Sequence, residues 1–325
     1  MRFRRRQFLH LAGAAVALPA VSRFAWAQAY PSRPVRVVVG LAAGSGADIL
    51  ARLIGQWLTE RLGQSFIIEN RSGAGTNIAT ETVVRAAPDG HTLLMVTPAN
   101  AINATLYERL NFNFIRDITP VASIARTPNV MVVNPAVPAK SIPEFIAHAK
   151  ANPGKLSMAS GGTGTASHMA GELFKMMAGV NMIHVPYRGG GPALTDLLAG
   201  QVQVYFPTTT AVVEHIRAGG VRALAVTTAA RSQALPDLPT VGDFMQGYEA
   251  IVVDGVGAPK NTSPEIVHRL NREINAGLAD PNLKARLADL GAVALTGSPA
   301  EFAKLIADET EKWGKVVKFA GIKAE

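Results

Sequence analysis

The most constraining feature of the sequence is a strand, a glycine-rich loop and a helix in direct succession between residues 35 and 58. Four of the five residues at 35–39 are valine, which is typical of a buried strand. Apolar residues from Ile49 onward recur at helical spacing, so a helix follows the glycines. The first amides of a helix lack partners, and the helix dipole favours negative charge there. This stretch therefore predicts an α/β fold that holds an anion at the loop.

This loop supplies the first group of candidate ligand-binding residues. Its small side chains would let an anionic group come close to the backbone amides. We expect Asp48 to cap the helix, and contact between its carboxylate and a ligand hydroxyl or amine is the alternative. The candidates in this loop are Ala43, Gly44, Ser45, Gly46 and Asp48.

A second strand, loop and helix with the same arrangement is predicted at residues 156–179. Hydroxyl side chains surround the predicted helix start, where they can cap free amides or join those amides in holding a carboxylate. Both roles stay open for each hydroxyl, and a structural role is the alternative to ligand contact for the histidine. The candidates here are Ser160, Thr163, Gly164, Thr165, Ala166, Ser167 and His168.

Strands and helices alternate between residues 63 and 97, as in a parallel βαβαβ unit. Thr97, Ala99 and Asn100 follow the third strand, at the edge where open α/β sheets place ligands. Capping of a turn and ligand contact are equally compatible with Thr97 and Asn100. Tyr187 ends a later strand, where it can form a wall of a cleft or pack against the sheet.

Two α/β lobes with mostly parallel central sheets follow from this pattern. The chain is predicted to cross from one lobe to the other near Thr127 and to return within residues 248–261. The predicted lobes are residues 28–127 with 249–325, and residues 128–248. Two crossing strands would leave a ligand cleft between the lobes.

Residues 1–27 are predicted to be an export signal rather than part of the fold. Adjacent arginines precede a short apolar run and then Ala25-Trp26-Ala27, a small-x-small cleavage site. The arginines resemble a twin-arginine signal. A retained membrane anchor is the alternative, although the apolar run is short for a membrane span. We therefore expect cleavage after about Ala27 and a periplasmic location.

Composition narrows the function. The signal holds five arginines and no acid, so removing it lowers the formal net charge from +8 to +3. The remaining basic residues are scattered, unlike the basic stripe of a nucleic-acid-binding protein. The chain has no cysteine, which excludes disulfides, thiolate metal sites and thiol nucleophiles. We expect no cofactor, no metal and no nucleic-acid partner.

Two classes of enzyme are the main rivals. A dinucleotide-binding oxidoreductase is suggested by Gly44-Ser45-Gly46 after a strand, but Ile49 stands where the third glycine of that motif belongs. A serine hydrolase would need glycine two residues before its nucleophile, and Met158 precedes Ser160 at that distance. The chain is therefore predicted not to be an enzyme.

The sequence resembles the periplasmic solute-binding receptors of tripartite tricarboxylate transport, the Bug family. Matching pieces run from YPSRPVRVVV and RLGQSFIIENRSGAGTNIATE through AAPDGHTLLM and PGKLSMASGGTGTASHMAGELFK to HVPYRGGGPALTDLLAGQV and VRALAVTTAARSQALPDLPTV. The resemblance implies a type II periplasmic-binding-protein fold with a small carboxylate between the lobes. It also implies that the loops at residues 42–48 and 160–167 hold carboxylates.

Three departures from the family pattern affect the ligand. The opening loop lacks the usual prolines, and Gln203 and Pro207 stand where relatives often have aspartates. Because Pro207 is not an acid, the sequence argues against an amino acid as the ligand. Where relatives often carry an aromatic pair, this chain has Val253 and Asp254, and a buried carboxylate there would oppose an anionic ligand unless it is paired.

We expect a monomeric receptor that captures a di- or tricarboxylate or an aromatic acid. Closure of the lobes would remove the solute from water, and the closed form would be presented to the membrane permease subunits. A sensor that reports its ligand to a signalling partner is the alternative.

Overall fold

The computed structural model describes residues 30–324, so the predicted export signal lies outside the described residues. Eleven strands are found in this range: β1 (Val35–Val39), β2 (Phe66–Asn70), β3 (Thr92–Val96), β4 (Ile118–Pro128), β5 (Val130–Val133), β6 (Ser157–Ser160), β7 (Ile183–Pro186), β8 (Val204–Tyr205), β9 (Arg222–Val226), β10 (Ile251–Pro259) and β11 (Val293–Ala294).

Eleven α-helices occur in the same residues. They are α1 (Gly46–Leu62), α2 (Asn77–Val84), α3 (Pro98–Leu106), α4 (Phe114–Asp117), α5 (Ile142–Ala151), α6 (Ala166–Ala178), α7 (Gly190–Leu198), α8 (Thr209–Arg217), α9 (Pro264–Ala279), α10 (Pro281–Asp289) and α11 (Pro299–Ala320). Short 3-10 helices lie at Ala74–Thr76 and Val241–Asp243. None of the described helices is long and apolar enough to cross a membrane.

The strands form two separate sheets, one in each lobe. The first has the order β11-β4-β10-β3-β1-β2 and the second the order β7-β6-β8-β5-β9. The predicted parallel pairs are present, with β1 between β2 and β3, and β6 between β7 and β8. The predicted α/β lobes are confirmed, but the sheets are mixed rather than mostly parallel. The reason is that β4, β5 and β10 run antiparallel to their neighbours.

The two crossing strands lie side by side. β4 and β10 pair antiparallel from Pro128 opposite Ile251 to Ile118 opposite Pro259. At the end of β4 the chain passes through Asn129 directly into β5 of the second sheet. The buried Thr227 joins the two crossings, because its amide donates to the Asn129 carbonyl and its carbonyl accepts from the Ala250 amide, both at 2.9 Å.

Apolar packing continues from one lobe to the other through the last helix. Trp313 and Val317 of α11, with Ile102 and Leu106 of α3, belong to the same buried cluster as residues of the second sheet. Trp313 is 1% exposed, and its indole N–H donates to Glu309 at 2.7 Å. The C-terminal helix is therefore a third connection between the lobes.

Candidate functional site

A cavity between the lobes is surrounded by the beginnings of five helices. The residues at the N-termini of α1, α3, α6, α7 and α8 all line it, and β10 contributes Val252 and Asp254. Its volume of about 60 Å³ is small. Five helix starts that line one small space are a strong arrangement for an anion.

The start of α1 forms the first side of the cavity. Ser45 is the N-cap, since its Oγ accepts a hydrogen bond from the Asp48 amide at 3.3 Å. The prediction that Asp48 caps the helix is therefore wrong: Asp48 lies in the first turn and is 2% exposed. Its carboxylate accepts hydrogen bonds from the Gly44 amide at 3.0 Å and from Arg52 at 3.0 Å. Asp48 fixes the loop, which leaves the amides of Gly46 and Ala47 at the cavity.

Those bonds decide the charge of Asp48. Burial alone would raise the pKa of the carboxyl group, but hydrogen bonds from Arg52 and the Gly44 amide lower this pKa below its ordinary value. The carboxylate is therefore ionised and already paired within its own lobe. Asp48 is not one of the described residues that line the cavity.

The start of α6 forms the opposite side. Thr165, Ala166 and Ser167 line the cavity, and Thr165 is the N-cap residue. The Thr165 hydroxyl donates to the Gly162 carbonyl at 2.7 Å and lies 3.0 Å from the Ser167 hydroxyl, which accepts from the Gly161 amide at 3.0 Å. These hydroxyls shape the loop, and the first amides of α6 are left for a ligand.

Three further helix starts complete the wall. Thr97, Pro98 and Ala99 begin α3, Gly190 begins α7, and Thr208 precedes α8. Lysine, arginine and histidine do not occur among the described residues that line the cavity. Positive potential at the site therefore comes from helix ends and not from a cationic side chain.

The backbones of the two lobes approach each other closely across the cleft. A Cβ built on Gly189 would lie 2.5 Å from the Ala42 amide nitrogen, and one on Gly191 would lie 2.6 Å from the Ala43 carbonyl oxygen. These glycines belong to the second lobe and the alanines to the loop before α1. Backbone approaches backbone here because no side chain intervenes.

The floor of the cavity carries acceptor atoms. Asp254 is 1% exposed, and its Oδ1 has no hydrogen-bond partner among the described residues. Burial raises the pKa of Asp254 to about 7. Asn129, at the crossing, also lines the cavity, and its Oδ1 is likewise buried and unpartnered within residues 30–324.

Tyr205 supplies a donor on the same surface. Its side chain is buried, and burial raises the pKa of the hydroxyl group far above its ordinary value, so the hydroxyl keeps its proton. A Cβ built on Gly190 would lie 3.0 Å from this hydroxyl oxygen, which places the hydroxyl beside the start of α7.

Seven of the predicted site residues lie together at the cavity, and nine do not. The seven are Ser45, Gly46, Thr97, Ala99, Thr165, Ala166 and Ser167. Thr163 and Tyr187 line a separate outer depression, and the Tyr187 hydroxyl donates to Asp196 at 2.6 Å. The remaining seven line neither space and are Ala43, Gly44, Asp48, Asn100, Ser160, Gly164 and His168.

The polar members of that last group are engaged elsewhere. Asn100 accepts from the Thr97 amide at 2.7 Å and donates to Thr80 at 2.8 Å, so it supports the start of α3. The Ser160 hydroxyl lies 2.7 Å from Nε2 of His184. Both residues act behind the cavity wall.

His168 is buried and also holds the loop. Its Nδ1 accepts from the Gly164 amide at 3.2 Å, and its ring stacks on His184 with centroids 4.0 Å apart. Burial, together with the charges of His184 and Lys175, lowers the pKa of His168 to about 3. The imidazole is therefore neutral at physiological pH.

Several lining residues were not among the predicted candidates. The most informative are Asn129, which precedes β5, Tyr205, which is the last residue of β8, and Thr208, which precedes α8. A signal for Thr208 was present, since a strand followed by Pro207 and three threonines repeats the strand, loop and helix pattern of the other two loops. Asn129 and Tyr205 carry no comparable local signal.

The two open sheets with a cleft between them define a two-lobe solute-binding protein of the periplasmic-binding-protein class. Residues 50–322 match the family described as "Tripartite tricarboxylate transporter family receptor". BugT of Bordetella pertussis is 34% identical over 322 residues, covering 98% of each chain. The chain belongs to this family of receptors, which confirms the resemblance to Bug proteins.

Solved structures of relatives agree with the fold. Rpa4515 of R. palustris, solved with adipate, is 38% identical with a TM-score of 0.88, covering 90% of this chain and 99% of that chain. MatC (Rpa3494) of Rhodopseudomonas palustris, solved with bound malate, is 32% identical with a TM-score of 0.85, covering 89% of this chain and 100% of that chain.

Proposed function

We propose that the protein is an extracytoplasmic receptor that captures a small carboxylate-bearing solute between its lobes and delivers it to a permease of the tripartite tricarboxylate type. The observation that carries this proposal is the convergence of five helix starts on one cavity between the lobes, with no lysine, arginine or histidine in its described lining. Backbone amides and dipoles then bind the carboxylate. Adipate and malate in the structures of two relatives support the same class of ligand.

Binding in this proposal involves no chemical conversion. The carboxylate enters between the starts of α1 and α6, and the lobes close around it through movement at the β4 and β10 crossings. The moving bodies are residues 28–127 with 249–325, and residues 128–248. The chain acts as a monomer and offers its closed form to the permease.

Export completes the proposal. Residues 1–27 direct the chain to the periplasm and are removed after about Ala27, with the adjacent arginines pointing to the twin-arginine route. A receptor that works outside the cytoplasm can meet the solute before the permease does. The family description as a transporter receptor favours uptake over sensing.

A thermal-shift screen of carboxylates tests the proposed function. A ligand that binds only the folded state stabilises it by RT ln(1 + [L]/Kd), or about 2.7 kcal/mol at a hundredfold excess over Kd. We expect at least one small mono-, di- or tricarboxylate to raise Tm, and the matching primary amide or alcohol without a carboxylate to leave Tm unchanged. A screen in which no carboxylate raises Tm would contradict the proposal.

A further inference from the structure

Two residues that line the cavity each carry a buried acceptor oxygen with no donor among the described residues. They are Oδ1 of Asp254 on β10 and Oδ1 of Asn129 between β4 and β5, and both residues line the cavity. Nδ2 of Asn129 donates to the Phe206 carbonyl, which sets the orientation of the amide group and leaves Oδ1 without a partner among the described residues. The oxygen is thereby fixed as the free end of this side chain.

Buried acceptors without donors are unfavourable. Burying a polar group without a hydrogen-bond partner destabilises the protein, and burying an unpaired charge does so more strongly. In a cleft that closes around a solute, the solute can supply the missing donors. Asp254 and Asn129 therefore indicate the chemistry of the ligand at the end away from its carboxylate.

We propose that the cleft selects a carboxylate whose other end carries an O–H or N–H donor, that is, a hydroxy- or amino-carboxylate, and that it discriminates against a second carboxylate at that end. This inference rests on the proposed function. The helix starts of α1 and α6 take the carboxylate, and Asp254 with Asn129 accepts hydrogen bonds from the hydroxyl or ammonium group. Asp254 would then supply, for a ligand ammonium group, the acid that is lacking at Pro207.

The surroundings of Asp254 make it the group that discriminates. Burial raises the pKa of Asp254 to about 7, with no charged neighbour contributing, so an ammonium ligand would hold it ionised and a second carboxylate would require it to be protonated. Of the groups on the surrounding elements, Tyr205 keeps its proton and Asp48 is paired with Arg52.

The remaining ionisable groups near the cleft do not replace Asp254. Burial keeps His168 and His184 neutral, because their pKa values are lowered to about 3 and about 4. Arg126, beside the crossing strand, is exposed and pairs in register with Val253. Between pH 6 and pH 8, we therefore attribute a proton change at the cavity to Asp254.

Two series of probes with equal chain length test this selection. The first comprises glutarate, 4-hydroxybutanoate and 4-aminobutanoate, which differ only in the group at the far end of three methylenes. The second comprises adipate, 5-hydroxypentanoate and 5-aminopentanoate. Calorimetry at pH 8 is expected to show that the hydroxyl or ammonium member binds roughly tenfold or more tightly than the dicarboxylate of its series.

Asp254→Asn isolates the carboxylate. The substitution keeps the shape of the side chain and adds a donor, so we expect it to reduce or invert the preference and to tighten binding of the dicarboxylate. The exposed Asp237, changed to Asn, is the matched control and should leave the preference unchanged. Calorimetry in buffers of different ionisation enthalpy measures the number of protons released on binding. An ammonium ligand should release more protons from Asp254 near pH 7 than a hydroxyl ligand does.

The possible results separate this inference from the proposed function. Equal binding of the dicarboxylate and its partners by the unmodified protein at pH 8, or a preference that Asp254→Asn leaves unchanged, would overturn the inference and keep the carboxylate receptor. Failure of every probe and of the whole carboxylate screen would overturn both.

Discussion

Gly46 and Thr208 meet across the cleft: a Cβ built on Gly46 would lie 2.2 Å from the Thr208 hydroxyl oxygen. Gly46 is the first residue of α1 in one lobe, and Thr208 precedes α8 in the other. The absence of a side chain at this position therefore lets two helix starts approach the same solute.

Gly46→Ala should hold the lobes apart without disrupting either one. Overpacking costs about 1 to 3 kcal/mol, so we expect affinity for the best carboxylate of the screen to fall roughly tenfold, with little change in Tm of the free protein. Calorimetry measures the affinity. The control is Gly55→Ala in the same helix, where the nearest atom is the flexible end of Ile68 at 3.0 Å. Equal affinities of the two variants would show that closure does not depend on this contact.

Ala166→Pro should remove one ligand-binding amide from the start of α6. Ala166 is the first residue of that helix, a position that tolerates proline, and the extended conformation of Thr165 suits the residue before a proline. We expect a loss of affinity of roughly tenfold, because a hydrogen bond to a charged group contributes about 1.5 to 3 kcal/mol.

Ala166→Ser is the matched control because it keeps the amide. Affinity by calorimetry and Tm by scanning calorimetry distinguish a lost contact from lost stability. A proline variant that binds as tightly as the serine variant would exclude this amide from the site.

Two buried tyrosines separate binding from stability. Tyr205 lines the cavity, and its hydroxyl group interacts with the Ser167 side chain. The Tyr248 hydroxyl instead donates to the Ala170 carbonyl at 2.8 Å within the core. We expect Tyr205→Phe to lower affinity roughly tenfold with little effect on stability. Tyr248→Phe should instead lower the free energy of unfolding by about 1 kcal/mol and leave affinity unchanged. Calorimetric titration and urea unfolding of both variants check this contrast. A loss of affinity in Tyr248→Phe but not in Tyr205→Phe would contradict the prediction.

Acid should destabilise the protein through its buried histidines. Unfolded histidine binds a proton near pH 6.5. Folded His168 does so only near pH 3. Between these values the unfolded chain holds more protons, so the free energy of unfolding falls as pH falls. The contribution of His168 to stability is fully present above about pH 6.5.

His168→Gln should make this pH dependence shallower. We expect the difference between the two proteins to change by roughly 1 to 3 kcal/mol between pH 6.5 and pH 4. Asp254, whose pKa is raised, changes the free energy of unfolding with the opposite sign between about pH 4 and about pH 7. The test is therefore the difference in the free energy of unfolding between the variant and the unmodified protein at each pH. The exposed His268, changed to Gln, is the control. Parallel urea-unfolding profiles for all three proteins would contradict the prediction.

The loops at α1 and α6 could be predicted because each is a local pattern. A strand, small or hydroxyl residues and an amphipathic helix together predict a helix start near Ser45 and another near Thr165 without knowledge of the fold. Helix α3 was not predicted, although Thr97 and Ala99 at its start were candidate site residues. Its short sequence, rich in alanine and asparagine, gives little helical periodicity, and the threonine followed by proline was the available helix-start signal.

The floor of the cavity could not be predicted in the same way. Asn129, Tyr205 and Asp254 come from three distant segments, and only the crossing of β4 and β10 brings them to one space. The sequence marked Asp254 as a departure from relatives, yet its lack of a partner depends on neighbours from both sheets. The role of Asp48 also depends on a residue that is distant in the sequence, since the side chain of Asn70 on β2 donates to its carboxylate at 2.9 Å.

The placement of Trp313 in the core of the opposite lobe restricts how this molecule can open. Two strands alone would permit both bending and twisting, whereas a third link through α11 at a different position opposes free twisting. We therefore expect the lobes to separate mainly by bending at the two strands, so that each closure restores the same arrangement of the five helix starts.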